Sequence, residues 1–228
     1  MEAKSSSSRS LNLSGTSLLV SLSIVLAAVA IALDWTANRI PWQARSLTLP
    51  LWAGAAVTAA VGYWVVPLLV QLKIGQAIRE DGPQAHLKKA GTPTMGGVFF
   101  IPVGVLAAAI LSGFATEALA LGAITLGYGA IGWIDDWQIL RRKSNKGISP
   151  RMKLALQIGF GALFCLWLWS RAGSSITTIA LPFGFTLSLG LLFYALALFV
   201  LVAESNATNL TDGVDGLAGG TVAIALLG

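Results

Sequence analysis

What this chain can fold into is set first by its uninterrupted apolar runs. Leu47–Val70 is 24 residues long and carries no charged side chain. An α-helix of that length, at ~1.5 Å per residue, covers the ~30 Å hydrocarbon core of a bilayer. Inside lipid, backbone N–H and C=O groups must find partners within the protein, so a run of this kind predicts a spanning helix. Five more runs read the same way: Ser17–Leu33, Thr94–Phe114, Ala118–Ile134, Leu154–Ser170 and Thr186–Ala203. The expected fold is an all-α, polytopic transmembrane bundle of about six spans plus the start of a seventh. Ser17–Leu33 is short for a span and could be a signal peptide, but no convincing small-x-small cleavage site follows it before Asp34-Trp35, so it reads as an uncleaved span. The seventh run, Thr221–Gly228, has eight residues, too few to cross at ~1.5 Å each. The sequence therefore reads as part of a longer protein.

Charge then orients these spans. Only 11% of the 228 residues are charged, against about 25% in soluble domains. With the N-terminus inside, segments 1–16, 71–93, 135–153 and 204–220 hold twelve Lys and Arg; segments 34–46, 114–117 and 171–185 hold three. Basic loops stay on the cytoplasmic side, so the three larger polar loops are expected there. If Ser17–Leu33 did not span, only the N-terminus would change sides. The net charge of +5 is thus a matter of topology, and no nucleic-acid-binding motif accompanies it. The single cysteine, Cys165, lies in an apolar run, which excludes an intramolecular disulfide. Three regions follow: a serine-rich, disordered tail at 1–16, the first span with its external connection at 17–46, and the later spans with their loops at 47–228.

Chemistry-bearing residues gather in the three polar loops. Ser205–Gly220 carries Asn206, Asn209, Asp212 and Asp215, and the last three recur every three residues, as on one face of a helical or turn-like segment. Gly213, Gly216, Gly219 and Gly220 permit close approach of a ligand to the backbone. Read alone, the stretch could also be a solvated turn-forming loop. Asp81–Gly97 supplies Lys88, Lys89, Thr92 and Thr94, donors suited to phosphate oxygens, and alone it reads more simply as a positive-inside anchor. In the remaining loop Asp135 and Asp136 precede the basic residues Arg141, Arg142, Lys143, Lys146, Arg151 and Lys153. Acids beside bases suit a magnesium-bound diphosphate, with carboxylates on the metal and cations on phosphate. Helix capping with topology-setting bases fits that loop equally well. Three such loops on one membrane face point to a composite active site. It would transfer a phosphate-linked group from a soluble nucleotide to a membrane-embedded acceptor.

The motifs GTPTMGG at 91–97, DDW at 135–137 and NATNLTDGVDGLAGG at 206–220 resemble the phospho-N-acetylmuramoyl-pentapeptide transferases (MraY type), in the family's order and loops, across about residues 47–228. These belong to the wider polyprenyl-phosphate N-acetylhexosamine-1-phosphate transferases. The resemblance implies transfer of phospho-MurNAc-pentapeptide from UDP-MurNAc-pentapeptide to undecaprenyl phosphate, giving lipid I and UMP with Mg2+ as cofactor. It also implies a multi-pass place in the bacterial plasma membrane. Asp135, Asp136 and Asp215 match catalytic acids, with Asp136 and Asp215 as metal ligands and Asp135 as acceptor of the lipid phosphate's proton. Lys89, Thr94, Lys143, Lys146, Lys153, Asn206, Asn209, Asp212 and Gly213 are the implied substrate-binding residues. The implied partners are the donor, the lipid acceptor and the bilayer, with a homodimer as an option and no nucleic acid.

Two departures stand out. Where the family often has a lysine four residues after the first aspartate, this chain has Ile139. The family also places a further metal-ligating aspartate and a histidine-rich loop beyond the motifs present here, so these 228 residues alone are expected to be inactive. The alternatives are a related transferase using UDP-GlcNAc, a secondary transporter, or a non-catalytic scaffold. The transporter would be expected to show an internal repeat, and none is evident.

Overall fold

The computed structural model describes residues 15–40, 46–71, 95–142, 147–211 and 217–225. In chain order these form α1 (Gly15–Thr36), α2 (Thr48–Gln71), α3 (Gly97–Leu111), α4 (Thr116–Arg142), α5 (Pro150–Ala172), the strands β1 (Thr178–Ala180) and β2 (Thr186–Ser188), α6 (Leu192–Thr211) and α7 (Leu217–Ala225). Helices α1, α2, α4, α5 and α6 are long and apolar enough to cross a membrane, while α3 is apolar but only 15 residues long. Each helix packs on the next in sequence. The chain is an all-α, polytopic membrane protein.

The structure moves several expected boundaries. The third span is Gly97–Leu111, not Thr94–Phe114. The chain leaves the helix at Gly113 and Phe114, both at positive φ (64° and 59°), the left-handed region that ends α-helices. The residue entering α3 in that region is Met95 (φ 67°), whereas Gly96 is right-handed helical. The sixth span is α6, beginning at Leu192 and not at Thr186. Thr186–Ser188 instead pairs antiparallel with β1, Thr186 opposite Ala180 and Ser188 opposite Thr178. Gly190 (φ 53°) then turns the chain into α6. At the other end α6 runs on to Thr211, so Ser205, Asn206 and Asn209 are helical and not in a loop. Likewise Asp135 and Asp136 belong to α4, which continues to Arg142. Charged residues end a hydropathy window, but they do not end a helix.

Apolar side chains point largely outward, as lipid as solvent allows. Trp64 is 77% exposed and Leu163 65%. Among the described residues the largest fully buried side chains are polar, Gln157 and Asp34. The helices meet through glycines. A Cβ at Gly122 would sit 2.8 Å from Val105 Cγ1, and one at Gly129 would sit 3.3 Å from Ile101 Cδ1, so α3 nests on α4. Gly127 faces Phe160 of α5, and Gly161 of α5 faces Leu198 of α6. Gly122, Gly127 and Gly129 of α4 therefore sit at close helix contacts. Gly132 is the exception, with open space around it.

Asp34 joins α1 to α2. Its Oδ1 accepts from Leu47 N–H at 2.8 Å, and its Oδ2 accepts from Thr48 N–H at 3.0 Å and from the Thr48 hydroxyl at 2.7 Å. The first N–H groups of any helix lack partners within it. Here the preceding helix supplies a carboxylate, whose charge also suits the positive end of the α2 dipole.

The glycine contacts predict opposite outcomes two residues apart on α5. Gly161→Ala places a Cβ 2.6 Å from Leu198 Cδ1 and should cost about 1–3 kcal/mol of stability. Gly159→Ala enters open space and should be neutral or stabilising by up to about 1 kcal/mol. Thermal unfolding of the two variants in detergent checks this; equal melting points would contradict the packing described.

Candidate active site

Helix α4 has 27 residues and spans ~40 Å, some 10 Å more than the hydrocarbon it crosses. Its last turns, carrying Asp135, Asp136, Arg141 and Arg142, can therefore stand clear of the apolar core. Trp133 and Trp137 stack one turn apart on this stretch, centroids 5.9 Å apart, which suits the water–lipid boundary. Gly147–Ser149 leads into α5. There Ile148 N–H donates to Asp135 Oδ1 at 2.9 Å, and Lys153 Nζ sits 3.1 Å from Asp135 Oδ2. Ser149 Oγ accepts from Met152 N–H, and Pro150 occupies the first turn, so α5 starts with a capped end. The return is possible because residue 147 is glycine: a Cβ there would fall inside the Asp135 carboxylate.

One face of α5 carries the site across the bundle. Lys153, Gln157, Gly161 and Cys165 recur every four residues and form its inward ridge. Gln157 Nε2 donates to Ser205 Oγ at 3.1 Å, and Gln157 Oε1 accepts from Asn206 Nδ2 at 2.9 Å, both on α6. Asn206 Nδ2 also donates to the Val202 carbonyl at 2.8 Å. On the other side the Tyr128 hydroxyl of α4 donates to the Gln157 carbonyl at 2.8 Å. It can reach that carbonyl because the residue one turn on is Gly161, where a Cβ would lie 3.0 Å from Tyr128 Oη. Tyr128 and Asp135, seven residues apart, lie on one side of α4. A polar seam thus runs from the acidic end of α4, through Lys153 and Gln157, to the last two turns of α6.

The predicted residues fall into three groups. Asp135, Lys153 and Asn206 are joined through this seam. Asp136 is half-buried beside Asp135, and Asn209 is exposed, one turn beyond Asn206. Lys89, Thr94, Lys143, Lys146, Asp212, Gly213 and Asp215 lie outside the described residues. Helix α3 begins at the same end of the bundle, since Val105 packs on Gly122 and the earlier Ile101 on Gly129, at the midpoint of α4, so that α3 runs antiparallel to it. Lys153 is engaged by Asp135, and both amide hydrogens of Asn206 are directed at protein acceptors. Sequence reasoning passed over Gln157, Tyr128, Ser205 and Gly147. The signal for Gln157 was present: it is the one amide in the fifth span, set four residues from both Lys153 and Gly161.

Among the described residues no group of three or more His, Cys, Asp or Glu could hold a metal. The donors at the end of α4 are two adjacent carboxylates, one already bound by Lys153 and a backbone N–H. That set fits Mg2+, which takes one or two carboxylates and fills its shell with water and phosphate oxygens.

Known proteins resemble the chain along its whole length. The profile described as phospho-N-acetylmuramoyl-pentapeptide-transferase signature 1 matches residues 89–101, and that of glycosyl transferase family 4 matches residues 118–228. A phospho-N-acetylmuramoyl-pentapeptide-transferase of Trichormus variabilis is 69% identical over 228 residues, all of this chain and 62% of the relative. Proteins of the same name from Nostoc punctiforme and Gloeothece citriformis are 68% and 55% identical, again over the whole chain and 63% of each relative. Over its whole length this chain is similar to the phospho-N-acetylmuramoyl-pentapeptide-transferases. It spans somewhat under two thirds of the length of these relatives. The signature covers Lys89, Thr94 and the start of α3, and the broader profile covers the whole seam from Tyr128 to Asn206.

The close fit at Gly147 can be tested without any enzymatic assay. In Gly147→Ala the added methyl group must push Ile148 away from Asp135. Loss of a hydrogen bond to a charged group, about 1.5 kcal/mol or more, should speed hydrogen exchange at the Ile148 amide roughly tenfold. Unchanged exchange would mean that the loop does not close on Asp135.

Proposed function

We propose that the full-length protein transfers phospho-MurNAc-pentapeptide from UDP-MurNAc-pentapeptide to undecaprenyl phosphate, giving lipid I and UMP. The observation that carries this reading is the polar seam, which joins the acidic pair of α4 to the polar end of α6 at one end of the bundle. The name of the relatives supports it. In this reading an oxygen of undecaprenyl phosphate attacks the sugar-linked phosphorus of the donor. A new P–O bond forms, the bond between the two donor phosphates breaks, and UMP leaves.

Asp135 accepts the proton of the lipid phosphate. Ile148 N–H and Lys153 aim its carboxylate, and both bind its oxygens as acceptors, the state a proton acceptor needs. Asp136 and Asp215 would hold Mg2+, which when bound neutralises charge on the diphosphate. Asn209, Asp212 and Gly213 would bind the nucleoside-sugar part of the donor. Lys89, Thr94, Lys143 and Lys146 contribute donors to its phosphates. The positive-inside count supports a cytoplasmic position for these groups, in a protein of the plasma membrane. Residues 47–228 form the transferase portion, and α1 is an added span tied to it through Asp34.

The test is Mg2+-dependent UMP release by the full-length protein in detergent, with undecaprenyl phosphate as acceptor. UDP-MurNAc-pentapeptide should support release, and Asp135→Asn should reduce it at least about 100-fold, the scale of a lost general base. Release from UDP-GlcNAc instead would assign the protein to the sister transferases. Release from neither donor by folded protein would overturn the reading.

A further inference from the structure

We infer that Gln157 is a positioning residue for this site, and that Asn206 acts through it and not as a ligand of the donor. The inference rests on the proposed reading for its consequence, but on the hydrogen bonds of three helices for its substance. Gln157 is 1% exposed and sits two turns into a membrane-spanning helix. A buried amide there is costly unless it is bonded. Both halves are: Nε2 donates to Ser205 Oγ, and Oε1 accepts from Asn206 Nδ2. The amide orientation is fixed by the chemistry of the neighbours. The Val202 carbonyl can only accept, so the Asn206 atom beside it is nitrogen. That nitrogen also faces Gln157, whose nearer atom must then be oxygen, leaving its nitrogen for Ser205.

The consequence is geometric. Ser205 and Asn206 are adjacent on α6, and Asn209 follows one turn later. A two-pronged bond to adjacent residues fixes both the rotation and the height of α6 against α5. Lys153, one turn before Gln157 on the same face, holds Asp135. The side chain of Gln157 therefore sets where Asn209 stands relative to the acidic pair. With its amide hydrogens directed at Gln157 and Val202, Asn206 has its donors spent within the protein.

A double-mutant cycle on the full-length protein tests this, with Gln157→Leu, Asn206→Leu and the pair. Each single variant should lower kcat/KM for the nucleotide donor about tenfold or more, while KM for undecaprenyl phosphate stays within about twofold. The double variant should be no worse than the weaker single, because both remove one device. The reciprocal swap, Gln157→Asn with Asn206→Gln, keeps an amide pair and should recover part of the loss. Multiplying losses would show that Asn206 touches the donor itself and would overturn the inference, as would a Gln157→Leu enzyme with parental kcat/KM. Equal damage toward both substrates would indicate structural support only and would also overturn it. Hydrogen exchange at residues 205–211 supplies a readout that needs no activity. It should rise in Gln157→Leu even if the parent protein releases no UMP, so the two readings can fail separately. Unchanged exchange there, with folded protein, would refute the positioning role.

Discussion

A carboxamide buried two turns into a membrane-spanning helix persists only if both halves of it are bonded, because an apolar surround offers no substitute partner. Gln157 meets that condition by reaching two residues of α6, and its backbone carbonyl receives Tyr128 of α4. Much of the described site depends on these three bonds. Apolar contacts between helices in lipid are weakly selective, since lipid tails offer similar contacts. Directed bonds fix rotation and height, which is what a site shared between helix ends requires.

The glycines make those bonds reachable. Gly161 leaves room for the Tyr128 hydroxyl, and Gly147 leaves room for the chain to close on Asp135. Polar groups supply specificity and missing side chains supply distance, and the two alternate along the same seam. Asp34 follows the same logic at the α1–α2 junction, where a buried carboxylate replaces the partners that the first turn of α2 lacks.

Most of the helical architecture was legible in the sequence, because long uncharged runs have one stable solution in a bilayer. The boundaries were less so. Hydropathy ends the fourth span at Ile134 and the sixth at Ala203, yet both helices run on past these residues, and α4 and α6 carry their polar residues on helical faces. Thr186–Ser188 reads as apolar chain, and its pairing with β1 depends on a turn at Phe183–Gly184 that hydropathy does not register. Within the candidate site, Asp135, Lys153 and Asn206 were legible as residue types in motifs. Their mutual bonding was not, because it passes through Gln157, a lone amide inside an apolar run. Its partners are 48 and 49 residues away in sequence.

The most direct single measurement is a structure of the full-length protein with Mg2+ and UDP-MurNAc-pentapeptide bound. The donor's diphosphate should lie between the Asp135–Asp136 end of α4 and the last turn of α6, with Lys153 still on Asp135 and Gln157 still bridging to Ser205 and Asn206. A diphosphate bound elsewhere on the protein, or donor contacts made by Asn206 with its bond to Gln157 broken, would contradict the assignment of this seam as the frame of the active site.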